Sequence, residues 1–264
     1  MTVTFTPLPT VGVQLMSAAP GPDLVAVGYR EDEYVVSGRA RRFDQIAPAE
    51  ADFATRVLIR RPVAAGTTTL VVEWLNVSSG DDAAPDYTYV ADEIVRRGHV
   101  WVGVSAQFIG VEGGRALVPT GADPGAEPAN GLKGRDPQRY AALHHPGDAF
   151  SYGIVTAITE ALSDPGAAQP LAELQVRRRI AVGESQSAYA LTTYVNTVQP
   201  RTECFDAFLV HSRGSATLPL GDAGCGVDLD RARHQSPVLI RDDLTTPVIV
   251  LETETDVLSP RLHY

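Results

Sequence analysis

The sequence predicts an α/β fold, a doubly wound and mostly parallel sheet preceded by a β-rich N-terminal part. Three observations carry this. Apolar, β-prone runs recur near residues 70, 100, 180, 207 and 249. Helical periodicity fills intervals near 90, 155 and 190. Such alternation gives parallel strands joined by right-handed helical crossovers. Polar residues then gather just past the run ends, at Asn76, Gln107, Ser185, His211 and Glu254–Asp256. Sheets of this class bind ligands at the carboxyl ends of their strands.

In chain order, residues 1–20 are rich in Pro and Thr and read as irregular or edge-like. Leu24–Val36 alternates loosely and reads as a hairpin, with Arg30-Glu31-Asp32-Glu33 between its arms. Ser37–Phe43 and Ala54–Arg60 suggest two further strands. Thr67–Trp74 is strongly β-prone, and Leu75–Asp82 is a turn region. A helix follows over Asp86–Arg97, with Val90, Ala91, Ile94 and Val95 as its stripe and Gly98 at its stop. His99–Val104 is a second buried strand.

Residues 107–147 are Gly- and Pro-rich, a connection whose length implies a functional segment in a compact domain. Asp148 is expected to cap a helix that buries Phe150, Ile154, Val155, Ile158 and Leu162 and stops at Asp164-Pro165-Gly166. Ile180–Val182 is a short strand, and Gly183 punctuates it. From Gln186 onward, Ala188, Leu191, Tyr194 and Val195 share a helical face. Phe205–His211 and Pro247–Glu252 are expected as the third and fourth buried strands, separated by a second Gly-rich excursion over 212–245. The expectation is one domain over 1–264, with 107–147 and 212–245 as lid-like segments.

Composition narrows the function. At 44% hydrophobic and 20% charged residues, the 264-residue chain can build a core and is not of disordered type. Lys plus Arg number 22 against 32 Asp plus Glu, a net charge of −10 that argues against nucleic acid and anionic membranes as partners. No run approaches the ~18 apolar residues of a membrane span. The N-terminus lacks a basic segment followed by an apolar one, so a cytoplasmic location is expected. Cys204 and Cys225 form no CxxC; two buried or free thiols are expected, with a pair in an oxidising compartment as the alternative. Nothing in the pattern speaks to oligomeric state.

The chemistry centres on Gly183-Glu184-Ser185-Gln186-Ser187, between a strand and a helix. The segment resembles the G-x-S-x-G nucleophile elbow, with Ser187 in place of the last Gly. A hydroxyl needs a base to become a nucleophile. A sharp turn lifts it above the sheet, and the helix N-terminus then faces developing negative charge. The oxyanion donors expected are the N–H of Gln186 and that of Asn76 or Val77, in the loop after the strand ending at Trp74. Asp256, past the last strand, stands where a triad acid belongs, with Glu254 as its rival on the same turn. Gly110-Val111-Glu112-Gly113-Gly114 is neither a dinucleotide fingerprint nor a P-loop. His144-His145 with Asp148 implies no further ligand, so no metal and no cofactor are expected. The expected substrate is a small ester or amide.

Five segments carry a resemblance: Val72-Glu73-Trp74-Leu75-Asn76-Val77-Ser78, Gly103-Val104-Ser105-Ala106-Gln107, Leu143-His144-His145-Pro146-Gly147-Asp148, the Ser185 pentapeptide, and Glu252-Thr253-Glu254-Thr255-Asp256. From about residue 25 onward the chain is similar to the alpha/beta hydrolase domain family of bacterial proteins. The resemblance implies an α/β-hydrolase fold, Ser185 as nucleophile and Asp256 as acid. It also implies a His well downstream of the acid, after a further helix and strand. Only eight residues follow Asp256, so the chain reads as truncated and its site as impaired in its base. His263 is the one His in that order, and His211, above the neighbouring strand, is a possible base or pocket residue. The alternative is a non-catalytic module of hydrolase fold that binds a ligand or partner.

Overall fold

A computed structural model describes residues 2–44, 49–117, 131–164, 170–232 and 234–258. Its frame is one eight-stranded sheet in the order β1-β2-β3-β5-β4-β6-β7-β8. The strands are β1 Thr4–Pro7, β2 Tyr29–Arg41, β3 Glu50–Pro62, β4 Gly66–Trp74, β5 Val100–Val104, β6 Leu174–Glu184, β7 Ala207–His211 and β8 Val248–Leu251. The first three strands and the β3–β5 pair are antiparallel; β5, β4, β6, β7 and β8 run parallel. Those five are the runs expected near 70, 100, 180, 207 and 249.

Helices α1 Pro85–Arg97, α4 Ser151–Ser163 and α5 Gln186–Thr193 are the three crossovers expected from periodicity. Gly98 ends α1 with φ 67°, the left-handed stop that glycine adopts without strain. Shorter helices are α2 Phe108–Glu112, α3 Gly131–Arg135, α6 Gln199–Thr202, α7 Leu229–Ala232 and α8 Glu254–Leu258. Both long excursions are therefore partly helical where they are described. Gly110 lies inside α2, where an added Cβ would come 2.9 Å from Val77 Cγ1, so it serves close packing and not a phosphate loop.

The core lies on both sheet faces. Phe150, Ile154, Val155, Ile158 and Leu162 of the α4 region pack with Ala188, Leu191, Tyr194 and Val195 on one side. Ala91 and Ile94 of α1 pack with Trp101 and Leu75 on the other. Among the described residues, no helix is long and apolar enough to cross a membrane. Cys204 is buried, Cys225 is exposed, and both are free.

Three local expectations are corrected. The run Pro247–Glu252, expected as a buried strand, holds the edge strand β8, which pairs on one side only and leaves Ile249, Val250 and Leu251 exposed. The expected hairpin over Leu24–Val36 and the strand expected at Ser37–Phe43 are instead a turn before Tyr29 and one continuous strand, β2. Its charged stretch is not a turn, because Glu31 and Asp32 face Arg60 and Arg61 of β3, at 2.5 and 3.3 Å. Asp148 does not cap α4. It opens a short 3₁₀ turn, Asp148–Phe150, and its carboxylate accepts the N–H groups of Phe108 and Val227 and the Ser151 hydroxyl. One buried side chain thus ties both excursions to the start of α4.

Candidate active site

The parallel register brings the ends of β4, β6, β7 and β8 to one edge of the sheet. Asn76 and Val77 follow β4, Ser185 follows β6, His211 closes β7, and Asp256 lies on α8 beyond β8. Sequence positions up to 180 residues apart meet here because strands of one direction end together.

Ser185 sits between β6 and α5 with φ 56° and ψ −114°. A non-glycine residue adopts such a conformation only when its surroundings enforce it, at about 1–3 kcal/mol. Here the Ser185 N–H donates to the His211 carbonyl at 2.9 Å, and the Glu184 carbonyl accepts Asn76 Nδ2 at 2.9 Å. At Gly183 a Cβ would meet Ser187 Cβ at 3.1 Å and Leu191 Cδ1 at 3.1 Å, so a larger residue would require these neighbours to give way. Ser187 itself is buried, and its hydroxyl has no hydrogen-bond partner among the described residues. No described residue hydrogen-bonds the Ser185 hydroxyl.

The β4 loop is held from several sides. Asp82 accepts Arg56 Nη2 of β3 at 3.0 Å and the Ser105 hydroxyl beyond β5. Asn76 Oδ1 accepts the Ser78 N–H at 2.8 Å. The Asn76 N–H donates to the Ala83 carbonyl at 2.9 Å, so that donor is already engaged. The Val77 N–H donates to Gln186 Oε1 at 3.2 Å. Gln186 Nε2 in turn donates to Gln107 Oε1, which also accepts Trp74 Nε1. The Gln186 N–H is the first of α5 and has no acceptor within its own helix.

Asp256 is buried, whereas Glu254 is exposed on the first turn of α8. Asp256 Oδ2 accepts the Ser212 hydroxyl and the N–H and hydroxyl of Thr253, while the Asp256 N–H returns to Thr253 Oγ1. The last exchange is a capping box at the start of α8. Burial opposes ionisation, but these bonds and the charge of His211 together hold the carboxyl below its ordinary range. All of these bonds fall on Oδ2; Oδ1 takes none from a described residue.

His211 turns toward α1. Its Nδ1 donates to Asp86 Oδ1 at 2.9 Å, and its ring lies edge-on to Tyr89. The hydrogen bond to Asp86 raises its pKa, against the opposing pull of burial. Glu184, beside it in register, is pushed up to about 7, first by burial and then by Asp86 and Asp256, with His211 opposing. Sequence reading placed Asp86 only as the start of a helix and gave it no part in the site. It also missed Glu73, whose buried carboxylate accepts the Asp86 and Tyr87 N–H groups and Trp101 Nε1, fixing the start of α1. His263 lies outside the described residues.

His145 uses both ring nitrogens internally: Nε2 meets the Ala106 carbonyl at 3.0 Å and Nδ1 accepts the Gly147 N–H at 3.2 Å. Burial lowers its pKa, in keeping with a neutral ring. No cluster of three or more metal-ligating side chains occurs among the described residues.

Comparison with known proteins gives the following. No curated protein sequence matches the chain. Solved structures that resemble it include fungal esterases from Rhizomucor miehei (12% identity over 73% of this chain and 48% of that one, TM-score 0.37). Brefeldin A esterase, described as a bacterial homologue of human hormone-sensitive lipase, shares 12% identity over 78% of this chain and 44% of its own, with a TM-score of 0.38. A thermostable esterase from Pseudomonas putida shares 12% over 72% and 45%, with a TM-score of 0.38. The chain thus spans less than half the length of these structures. Residues 4–263 match the family described as the alpha/beta hydrolase domain. With nearly its whole length matched, and with helices flanking a mostly parallel sheet, the chain belongs to the alpha/beta hydrolase domain family.

Proposed function

We propose that the chain is a serine hydrolase that transfers the acyl group of a small ester to water through an acyl-enzyme on Ser185. The observation that carries this reading is the enforced backbone of Ser185, φ 56° at the tip between β6 and α5. In the proposed step an imidazole, that of His263 or one supplied from outside the chain, takes the Ser185 proton while Oγ attacks the carbonyl carbon. The tetrahedral oxyanion collapses, the alcohol leaves with that proton, and water repeats the attack on the acyl-enzyme.

The oxyanion donors in this reading are the N–H groups of Gln186 and Val77. Val77 is favoured over Asn76, whose N–H serves Ala83. The oxyanion would displace Gln186 Oε1, a neutral acceptor, from the Val77 N–H. Asp256 is the acid, with Oδ1 left for the N–H of an imidazole. His211 is read as a pocket residue beside Asp86 and Glu184, because no hydrogen bond joins its ring to the Ser185 hydroxyl or to Asp256 among the described residues.

The test is labelling with a fluorophosphonate probe and hydrolysis of p-nitrophenyl acetate. Ser185→Ala should abolish both, and added imidazole should accelerate the wild type. Labelling that survives in Ser185→Ala would end the proposal. A second reading, a hydrolase-fold binding module, is favoured by one observation: no described imidazole reaches Asp256 Oδ1. That reading predicts neither labelling nor imidazole acceleration.

A further inference from the structure

Between the two excursions lies a cavity of about 260 Å³. Phe108, Ile109 and Leu117 from the first excursion and Val227 and Leu229 from the second give it apolar walls. Gly113, Gly114 and Gly226 add backbone surface, and Arg115, Asp228 and Asp230 bring charge of both signs to its lining.

Its position relates it to the elbow. The Leu117 N–H donates to the Ser78 carbonyl at 2.8 Å, and α2 packs on Val77 closely enough that Gly110 admits no side chain. Ser78 and Val77 belong to the loop that binds the Gln186 side chain and, through Asn76, the Glu184 carbonyl. Neither Ser185 nor Val77 lines the cavity itself; its wall is joined through the Leu117–Ser78 bond to the loop that holds the elbow. Both walls hang on one carboxylate: Asp148 Oδ1 accepts the Phe108 N–H at 2.8 Å and Oδ2 the Val227 N–H at 2.6 Å. A pocket fixed in width from both sides discriminates by length and branching better than one formed by loose loops.

We infer that this cavity is the subsite for an uncharged aliphatic chain of the ester substrate. The inference rests on the acyl-transfer reading above and adds the class of group held. The chain could belong to the acid or to the alcohol part, and the experiment separates the two. One arm measures kcat/KM for p-nitrophenyl esters from acetate to octanoate; the other uses acetates of alcohols from ethanol to octanol. The arm that matches the cavity should rise about fourfold per methylene, the worth of burying one CH₂, and then level off. Val227→Trp and Leu117→Trp should move the levelling point to shorter chains, and Ile109→Ala should move it to longer ones.

A binding measurement keeps the two readings apart. 1-Octanol should raise the melting temperature of the wild type, but not that of Val227→Trp. If Ser185 proves unreactive yet octanol protects in this pattern, the aliphatic pocket stands and the acyl-transfer reading falls. If Ser185 is reactive but neither chain-length profile nor octanol protection responds to the Trp variants, the pocket assignment is overturned.

Discussion

Replacing Ser185 by Gly and by Ala separates the strain of the elbow from the chemistry of its hydroxyl. Both variants lose the nucleophile, so both should be inactive. They differ only in backbone freedom at φ 56°, ψ −114°. Relief of the unfavourable conformation favours Gly by about 1–3 kcal/mol. The greater freedom of an unfolded glycine offsets about 0.4–1 kcal/mol of that. Ser185→Gly should therefore be the more stable variant, by about 1 kcal/mol. For a chain of this size that corresponds to about 2–4 °C in melting temperature. The His211 carbonyl accepts a backbone N–H, so that bond survives in both variants. Urea unfolding of the pair, read by tryptophan fluorescence, gives the difference directly. A glycine variant less stable than the alanine variant would mean that the turn stores no strain, and the argument for an enforced nucleophile would fail with it.

Other outcomes follow from the same geometry. Asn76→Ala should destabilise by about 1–3 kcal/mol, because it removes two hydrogen bonds, to the half-buried Glu184 carbonyl and from the Ser78 N–H; an unfolding midpoint equal to wild type would refute this. In Asp86→Asn, NMR titration should show the His211 pKa falling from above its ordinary value, since the hydrogen bond that raises it is lost while burial remains. The wild-type contribution of protonated His211 to stability should be full below about pH 6.5 and vanish as pH rises through the elevated folded value; a wild-type stability profile flat across this interval would exclude the pair. Asp256 has the opposite sign: its bonds to Ser212 and Thr253 stabilise above the ordinary carboxyl range and are lost as pH falls through the depressed folded value, a loss that Asp256→Asn should remove. Native protein should expose one thiol to Ellman's reagent, Cys225, because burial pushes the Cys204 thiol up to about 12; two fast thiols would contradict the packing.

The parallel half of the sheet was legible because its strands carry apolar, β-prone runs, most clearly in β5, where every residue from Val100 to Val104 is buried. The elbow was legible because Gly, Ser and a following helical stripe lie within a dozen residues of one another. What escaped the sequence is non-local. Arg30–Glu33 reads locally as a charged turn, and only the partner strand, with Arg60 and Arg61, explains it as sheet. The Asp86–His211 bond joins residues 125 apart, and the Val77–Gln186 bond residues 109 apart, leaving no periodic trace. Asp148 misled for a different reason. An acid before an apolar helical run is the usual capping pattern. Here its oxygens were claimed by backbone from segments 40 and 79 residues away.

That same aspartate couples insertions that the chain encodes far apart. A length change after β5 and one after β7 cannot drift independently while both segments must present an amide hydrogen to a single carboxyl group. Relatives that alter one excursion should carry a compensating alteration in the other, or a different residue at position 148. Engineering of selectivity in this scaffold would then proceed by exchanging the two segments as a matched pair.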